Sequence, residues 1–279
     1  MRNLVFITLF FTVFYISAYG QKSNNPNTQN CYPTINNPMR FKSINFNRHN
    51  GTIGFIGEDD NIYWSSMAYG RLGRFADNKY KLGIHQQTLL GRGYHISLSG
   101  EGVLSGNDRG ELVPVSQFSG PLASLSKQTR FVFGDLATNI LWYIDERNVI
   151  TPLENNGSLP LPPKIDAVMF TVWHNMFYAM DRNNKVWRWQ KDNNEWQDMK
   201  INAKMINRDA GFVGTQLYYI GMDDAVYMIN DNMVPTKISD FKCRYLAIYS
   251  RQVHAIGMDG LYYILVHNNC WQRIDFPKV

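Results

Sequence analysis

The chain has 279 residues, of which 44% are hydrophobic, 14% aromatic and 18% charged, which excludes both a disordered tail and a miniprotein held only by cross-links. Its net charge of +5 is concentrated in no Lys/Arg run, so nucleic acid is not an expected partner. The high aromatic content suits strands better than helical bundles.

The first predicted element is a leader. Arg2 precedes an apolar stretch over 4–18, and Ala18-Tyr19-Gly20 places small residues at the −3 and −1 positions before Gln21. The stretch is shorter than the ~20 residues a bilayer crossing needs, and Thr8, Thr12 and Ser17 interrupt it. Residues 1–20 therefore read as a signal peptide, and the mature chain is expected to be secreted and extracellular, with no membrane partner. In that compartment the sequons Asn50-Gly51-Thr52 and Asn156-Gly157-Ser158 are candidate glycosylation sites, the second within a proline-stiffened loop over 154–164.

Residues 21–38 form an extended N-terminal segment carrying Cys31, and 39–279 read as a single repeat domain. Ile220-Gly221-Met222-Asp223 and Ile256-Gly257-Met258-Asp259 are identical at 36 residues' separation, each followed by an aromatic, and a fixed period of this size marks a repeat architecture. In chain order the same pattern occurs at Ile56-Gly57-Glu58-Asp59, weakly at Leu98-Ser99-Gly100, and then at Tyr143-Ile144-Asp145 and Ala179-Met180-Asp181. Asp, Asn and Gly suit such turns because they tolerate left-handed backbone and bond their own main chain, so each turn predicts a hairpin.

Each hairpin is preceded by an apolar inner stretch, such as 167–173, 212–214 or 245–249, and followed by an outer one, such as 195–199 or 271–274. Four antiparallel strands per unit, six times over, predict an all-β six-bladed β-propeller, in which each sheet buries both faces against its neighbours. A β-sandwich or open barrel is the competing architecture, but neither requires the same hairpin chemistry at a steady interval.

Three cysteines remain in the mature chain. Cys243 opens the first strand of the last unit and Cys270 its fourth, about 14 Å apart across three strand spacings, beyond the ~7 Å a disulfide spans. If the N-terminal segment runs beside that outer strand, Cys31 reaches Cys270 and closes a loop of 239 residues. Three unpaired thiols are the alternative.

Because every unit poses the same packing problem, a residue type that recurs at one position reads as scaffold. On this basis Tyr63, Trp187, Tyr227 and Tyr262 are inter-unit core, Trp142 aligns with Ile56, Tyr178, Ile220 and Ile256, and Trp196 matches Trp271. The unrepeated residues are the ligand candidates: Trp64, Arg188 and Tyr263 beside the recurring aromatic, where the fifth unit has Met228, and Trp173 with His174 at an inner-strand end.

The acidic turns Glu58-Asp59-Asp60 and Asp223-Asp224 coincide with the hairpins and lack EF-hand spacing, so calcium is not expected. The six histidines make no HExxH, and no GxSxG elbow, P-loop or GxGxxG is present. No catalytic residue, cofactor or enzymatic activity is expected.

The stretch from Ala179-Met180-Asp181 through Lys185-Val186-Trp187-Arg188-Trp189 to Trp196, with its relative ending in Cys270-Trp271, resembles the tectonin type of lectin propeller. Over its whole length, with a leader, an early Cys and degenerate propeller-like units, the chain is also similar to the secreted insect ommochrome-binding proteins. That resemblance implies a non-enzymatic carrier of a small, flat, pigment-like aromatic ligand at the channel or its mouth, for which stacked aromatics and Arg are suited. The tectonin resemblance implies a glycan instead. A calcium-dependent lactonase-type hydrolase and a host or extracellular protein partner remain as further alternatives.

Overall fold

The computed structural model describes residues 36–47, 52–66 and 72–74, short stretches between 86 and 135, and most of 140–277. Among them every strand pairing is antiparallel and follows chain order. The first sheet is β1 (Phe41–Asn47), β2 (Thr52–Gly57), β3 (Ile62–Ser66) and β4 (Leu72–Arg74); the second is β5 (Gln86–Leu89), β6 (His95–Ser99), β7 (Gly102–Gly106) and β8 (Leu112–Pro114). A third comprises β9 (Phe131–Asp135), β10 (Ile140–Ile144) and β11 (Ile150–Pro152), three described strands, with 154–159 after β11 outside the described residues.

The fourth and fifth units share one seven-stranded sheet. It runs through β12 (Ala167–Trp173), β13 (Met176–Asp181), β14 (Lys185–Gln190), β15 (Glu195–Arg208), β16 (Leu217–Gly221), β17 (Val226–Ile229) and β18 (Pro235–Ser239). The 14-residue β15 pairs with β14 through Glu195 to Asn202 and then with β16 through Ala203 to Arg208. It is thus the outer strand of one unit and the inner strand of the next. The inner strand of the fifth unit is Ala203 to Arg208 and not 212–214, which lies outside the described residues. Lys204 and Asn207 interrupt the apolar run there and hide it from a hydrophobicity reading. The last sheet is β19 (Cys243–Tyr249), β20 (Gln252–Gly257), β21 (Tyr262–Val266) and β22 (Cys270–Ile274).

Period-two alternation places successive residues on opposite faces, and both faces are buried. One core joins Met205, Tyr218, Ile220 and Val226 of the fifth unit to Leu246, Val253 and Ala255 of the sixth. Another joins Tyr178, Met180 and Val186 of the fourth to Ile206, Leu217 and Tyr219 of the fifth. A third joins Trp142, Ile144 and Ile150 to Phe170, Val172 and Phe177. In each, the residue one place before the hairpin faces the following unit, and the residue two places before it faces the preceding one. A fourth core mixes Phe41, Phe55 and Tyr63 of the first unit with Ile256, Tyr262 and Phe276 from the end of the chain. The inner strands pack in succession, β1 on β5, β5 on β9, β9 on β12, β12 on β15 and β15 on β19, and β19 packs on β1.

Candidate functional site

The recurring hairpin organises everything around the candidate residues, and it comes in two forms. In the first, Gly57, Gly221 and Gly257 open the turn, and the residue three later carries positive φ: Asp60 (65°), Asp224 (66°) and Gly260 (81°). The Asp between them accepts the backbone N–H two residues on and a tyrosine hydroxyl four residues on. Those hydroxyl bonds are Tyr63 to Asp59 (2.6 Å), Tyr227 to Asp223 (3.1 Å) and Tyr263 to Asp259 (2.7 Å). A Cβ on the opening glycine would fall 2.8, 2.6 and 2.8 Å from the rings of Tyr63, Tyr227 and Tyr263 respectively, so no larger residue fits.

In the second form Asp145 or Asp181 opens the turn, with Asn148 or Asn184 at positive φ. Here the first-position carboxylate accepts the backbone N–H groups two and four residues on. Asp181 also takes the indole N–H of Trp187 at 3.0 Å. The two arrangements put an acid in the same space from different sequence positions, which shifts the sequence alignment by two residues.

Two corrections follow. Tyr263, not Tyr262, stands with Tyr63, Trp187 and Tyr227 at the recurring position; Tyr262 is equivalent to Ile62, Val186 and Val226. The position after it holds Trp64, Arg188, Met228 and Ile264, not Tyr263. Likewise Trp142 aligns with Gly54, Tyr178, Tyr218 and His254, and Ile56, Ile220 and Ile256 align with Ile144 and Met180.

The described ligand candidates are spread over the first, fourth and sixth units. Trp64 sits on β3, 44% exposed, between Gly54 of β2 and Gly73 of β4. Neither cross-strand neighbour has a side chain to cover the indole, and by the alternation above this face turns toward the second unit. Arg188 holds the same position on β14 and donates to the Met233 sulfur of the next unit at 3.5 Å. Tyr263 is tilted on Phe241 at 4.6 Å, with its hydroxyl on Asp259. Trp173 ends β12, where its backbone pairs with Met176. His174, Cys31, Asn50, Asn156 and the leader lie outside the described residues.

The outer-strand tryptophans tie units together. The Trp196 indole N–H donates to the Pro163 carbonyl at 2.9 Å, on the connector entering the fourth unit, and that of Trp271 to the Ser239 hydroxyl at 2.7 Å, at the end of β18 in the fifth. Cys243 is buried, and burial, with Asp224 nearby, pushes its thiol up to about 12.

Sequence reading missed two features. One is a β-bulge at the second residue of four inner strands, at Lys42, Val168, Lys204 and Arg244. Its only sequence trace is a mostly basic residue between two apolar or small ones. The bulge sets Lys42 on Asp60 and Lys204 on Asp224, the positive-φ residue of the same unit's turn, at 2.6 and 2.5 Å.

The other is His254, fully buried, sharing a 2.8 Å hydrogen bond with the Tyr262 hydroxyl and lowered to about 3 by burial. A single His on an apolar strand gives no distinguishing signal. At the turn of the fifth unit, Lys237 donates to Asp223 and holds that carboxyl down at about 2. Among the described residues no group of three or more His, Cys, Asp or Glu could hold a metal, and no helix is long and apolar enough to cross a membrane.

Consecutive antiparallel meanders with both faces buried, an outer strand running on into the next inner strand, and a hairpin repeated from unit to unit define a β-propeller fold. Solved structures agree. The chain superposes on the tricorn protease with a TM-score of 0.59 at 13% identity over 87% of its length, covering 27% of that protein. It spans only about a quarter of that relative. Virginiamycin B lyase from Staphylococcus aureus matches at a TM-score of 0.52 and 12% identity, covering 86% of this chain and 84% of that one. YCF48, solved bound to D1 peptide, matches at 0.50 and 10%, over 80% and 77%. At such identities the likeness establishes the fold alone. No protein-family model and no curated protein matches the chain.

Proposed function

We propose that the chain is a secreted, non-enzymatic binding protein, a closed six-bladed β-propeller that holds a small, flat, partly apolar ligand against Trp64. The cyclic succession of inner-strand contacts, β19 on β1 included, supports the six-membered ring. The observation that carries the ligand reading is Trp64 itself: a large aromatic, 44% exposed, with glycine on both flanking strands. Such an indole presents an uncovered face to a planar ring, and stacking adds about 0.5–1.5 kcal/mol beyond the area buried.

Because Trp64 lies on a third strand, the ligand stacks on the sheet face turned toward the second unit and not in the axial channel. The similarity to ommochrome-binding proteins names a tryptophan-derived pigment as the ligand class. A leader over 1–20, glycans on Asn50 and Asn156, and a Cys31–Cys270 bond belong to the same reading of an extracellular protein. The carbohydrate alternative loses support from Trp196 and Trp271, whose indole N–H groups are engaged within the scaffold by the Pro163 carbonyl and the Ser239 hydroxyl.

The test is a titration of the secreted chain with an ommochrome pigment, followed by tryptophan quenching and pigment absorbance. Wild type binds and Trp64→Ala does not. Equal binding by the variant overturns the assignment, and binding of a glycan panel without any pigment binding moves it to the lectin reading.

A further inference from the structure

Among the described residues the first and last units meet without exchanging a strand. Each sheet at the junction is built of consecutive described strands, β1 to β4 and β19 to β22, and no described strand is shared between them. What joins them in part repeats the other junctions. The first residue of an inner strand donates its N–H to the carbonyl of the positive-φ residue in the preceding unit's turn: Ala203 to Asn184 (2.8 Å), Cys243 to Asp224 (3.1 Å) and, across the junction, Phe41 to Gly260 (2.8 Å). Met39 adds a bond to the Phe276 carbonyl at 2.8 Å, and the Phe276 ring lies 6.0 Å from Phe41 and 5.5 Å from Phe55.

One contact departs from the repeat. In the first and fifth units the bulge cation pairs within its own unit, Lys42 with Asp60 and Lys204 with Asp224. In the sixth unit the corresponding turn residue is Gly260, which offers no carboxylate. Arg244 instead crosses the junction, donating to Glu58 at 2.8 Å and to the Phe41 carbonyl at 2.5 Å. A Cβ on Gly260 would lie 2.7 Å from the Glu58 carboxylate oxygen and 2.8 Å from the Arg244 guanidinium nitrogen, so the glycine also clears the space the pair occupies.

The geometry points to Arg244 and Glu58 as a charge latch that closes the ring, with Gly260 redirecting the bulge cation from its own unit to the first. The inference rests on the closed-ring reading. Its consequence is a junction that opens ahead of the rest of the molecule when the latch is removed, and one that weakens with salt, because both side chains are partly exposed to screening.

Hydrogen exchange on the full secreted chain tests it, with Arg244→Met set against Lys204→Met, the in-unit counterpart. Arg244→Met is expected to speed exchange about tenfold at Met39, Phe41 and the segment 270–276, as loss of a charge-assisted bond implies, and to leave β12 to β14 unchanged. Lys204→Met leaves the junction at wild-type rates.

Gly260→Asp is the second variant. It keeps the turn backbone, since Asp60 and Asp224 adopt the same positive φ, while its Cβ displaces the Glu58–Arg244 pair and its carboxylate draws Arg244 back into its own unit, loosening the junction as Arg244→Met does. The paired Glu58→Arg and Arg244→Glu substitutions restore the ion pair and with it part of the protection, without the donation to the Phe41 carbonyl. A wild-type Phe41 amide protected but unaltered in Arg244→Met, or exchange raised equally in every sheet, overturns the latch. A wild-type Phe41 amide without protection overturns the closed ring and the latch with it.

Discussion

The Tyr263 hydroxyl donates to the Asp259 carboxylate across 2.7 Å, reproducing the Tyr63–Asp59 and Tyr227–Asp223 bonds of other units. This is a hairpin tie, and it assigns the Tyr263 hydroxyl to the turn. Tyr263→Phe is expected to cost about 1 kcal/mol, the net value of a partly exposed hydrogen bond to a charged group, in urea unfolding. The same variant leaves pigment binding at the wild-type value if Trp64 is the contact.

Trp64→Ala is expected to give a different pattern. The indole has glycine on either side. More than half of its surface is buried all the same, so stability is expected to fall by about 1–3 kcal/mol. Binding is lost. Measuring both quantities on both variants separates scaffold from contact.

The glycine that opens the turn answers to sterics. In Gly257→Ala the new Cβ would meet the Asp259 carboxylate at 2.6 Å and the Tyr263 ring at 2.8 Å, and the variant is expected to lose about 1–3 kcal/mol in thermal or urea unfolding. Gly257→Asp combined with Asp259→Asn copies the Asp181 and Asn183 arrangement of the fourth unit, so the double variant is expected to be milder than Gly257→Asp alone.

His254 makes stability depend on pH. Its folded pKa of about 3 lies below the ordinary ~6.5, so above about pH 6.5 both states are neutral and nothing is lost. As pH falls from 6.5 toward 3, the unfolded chain takes up a proton that the folded chain refuses, and stability declines by about 1.4 kcal/mol per unit. Unfolding midpoints at pH 7, 6 and 5 are expected to fall more steeply for wild type than for His254→Gln. That window lies above the ~3.9 of an unfolded Asp, so the carboxylates do not obscure the difference.

Thr171 is fully buried on β12, and its hydroxyl has no hydrogen-bond partner. Thr171→Val removes a desolvated polar atom at nearly constant shape and is expected to be neutral or to stabilise by about 1 kcal/mol in the same unfolding assay.

The fold class was legible in the residues because the turn chemistry repeats: Gly or Asp opening a hairpin, a positive-φ Asp, Asn or Gly within it, and alternating apolar residues on both sides. The strands at Ala167–Trp173 and Cys270–Ile274, and the opening residues of Glu195–Arg208, follow from that pattern. The alignment between units was not. A carboxylate reaches the same backbone N–H groups from the first or the third turn position, so Asp181 and Asp223 look equivalent in sequence while standing two residues apart in register. That displacement put Trp142 and Tyr178 beside Ile56, Ile220 and Ile256, where Gly54, Tyr218 and His254 belong.

Trp64 was identifiable as an unrepeated aromatic, but its exposure depends on Gly54 and Gly73, which become its neighbours only when three strands pair. The partner of Arg244 lies 186 positions away, and no local pattern encodes it. Periodicity and turn residues act over a few bonds and so can be read along the chain. Contacts between the first and last units exist only once the intervening sheets have brought the two ends of the domain together.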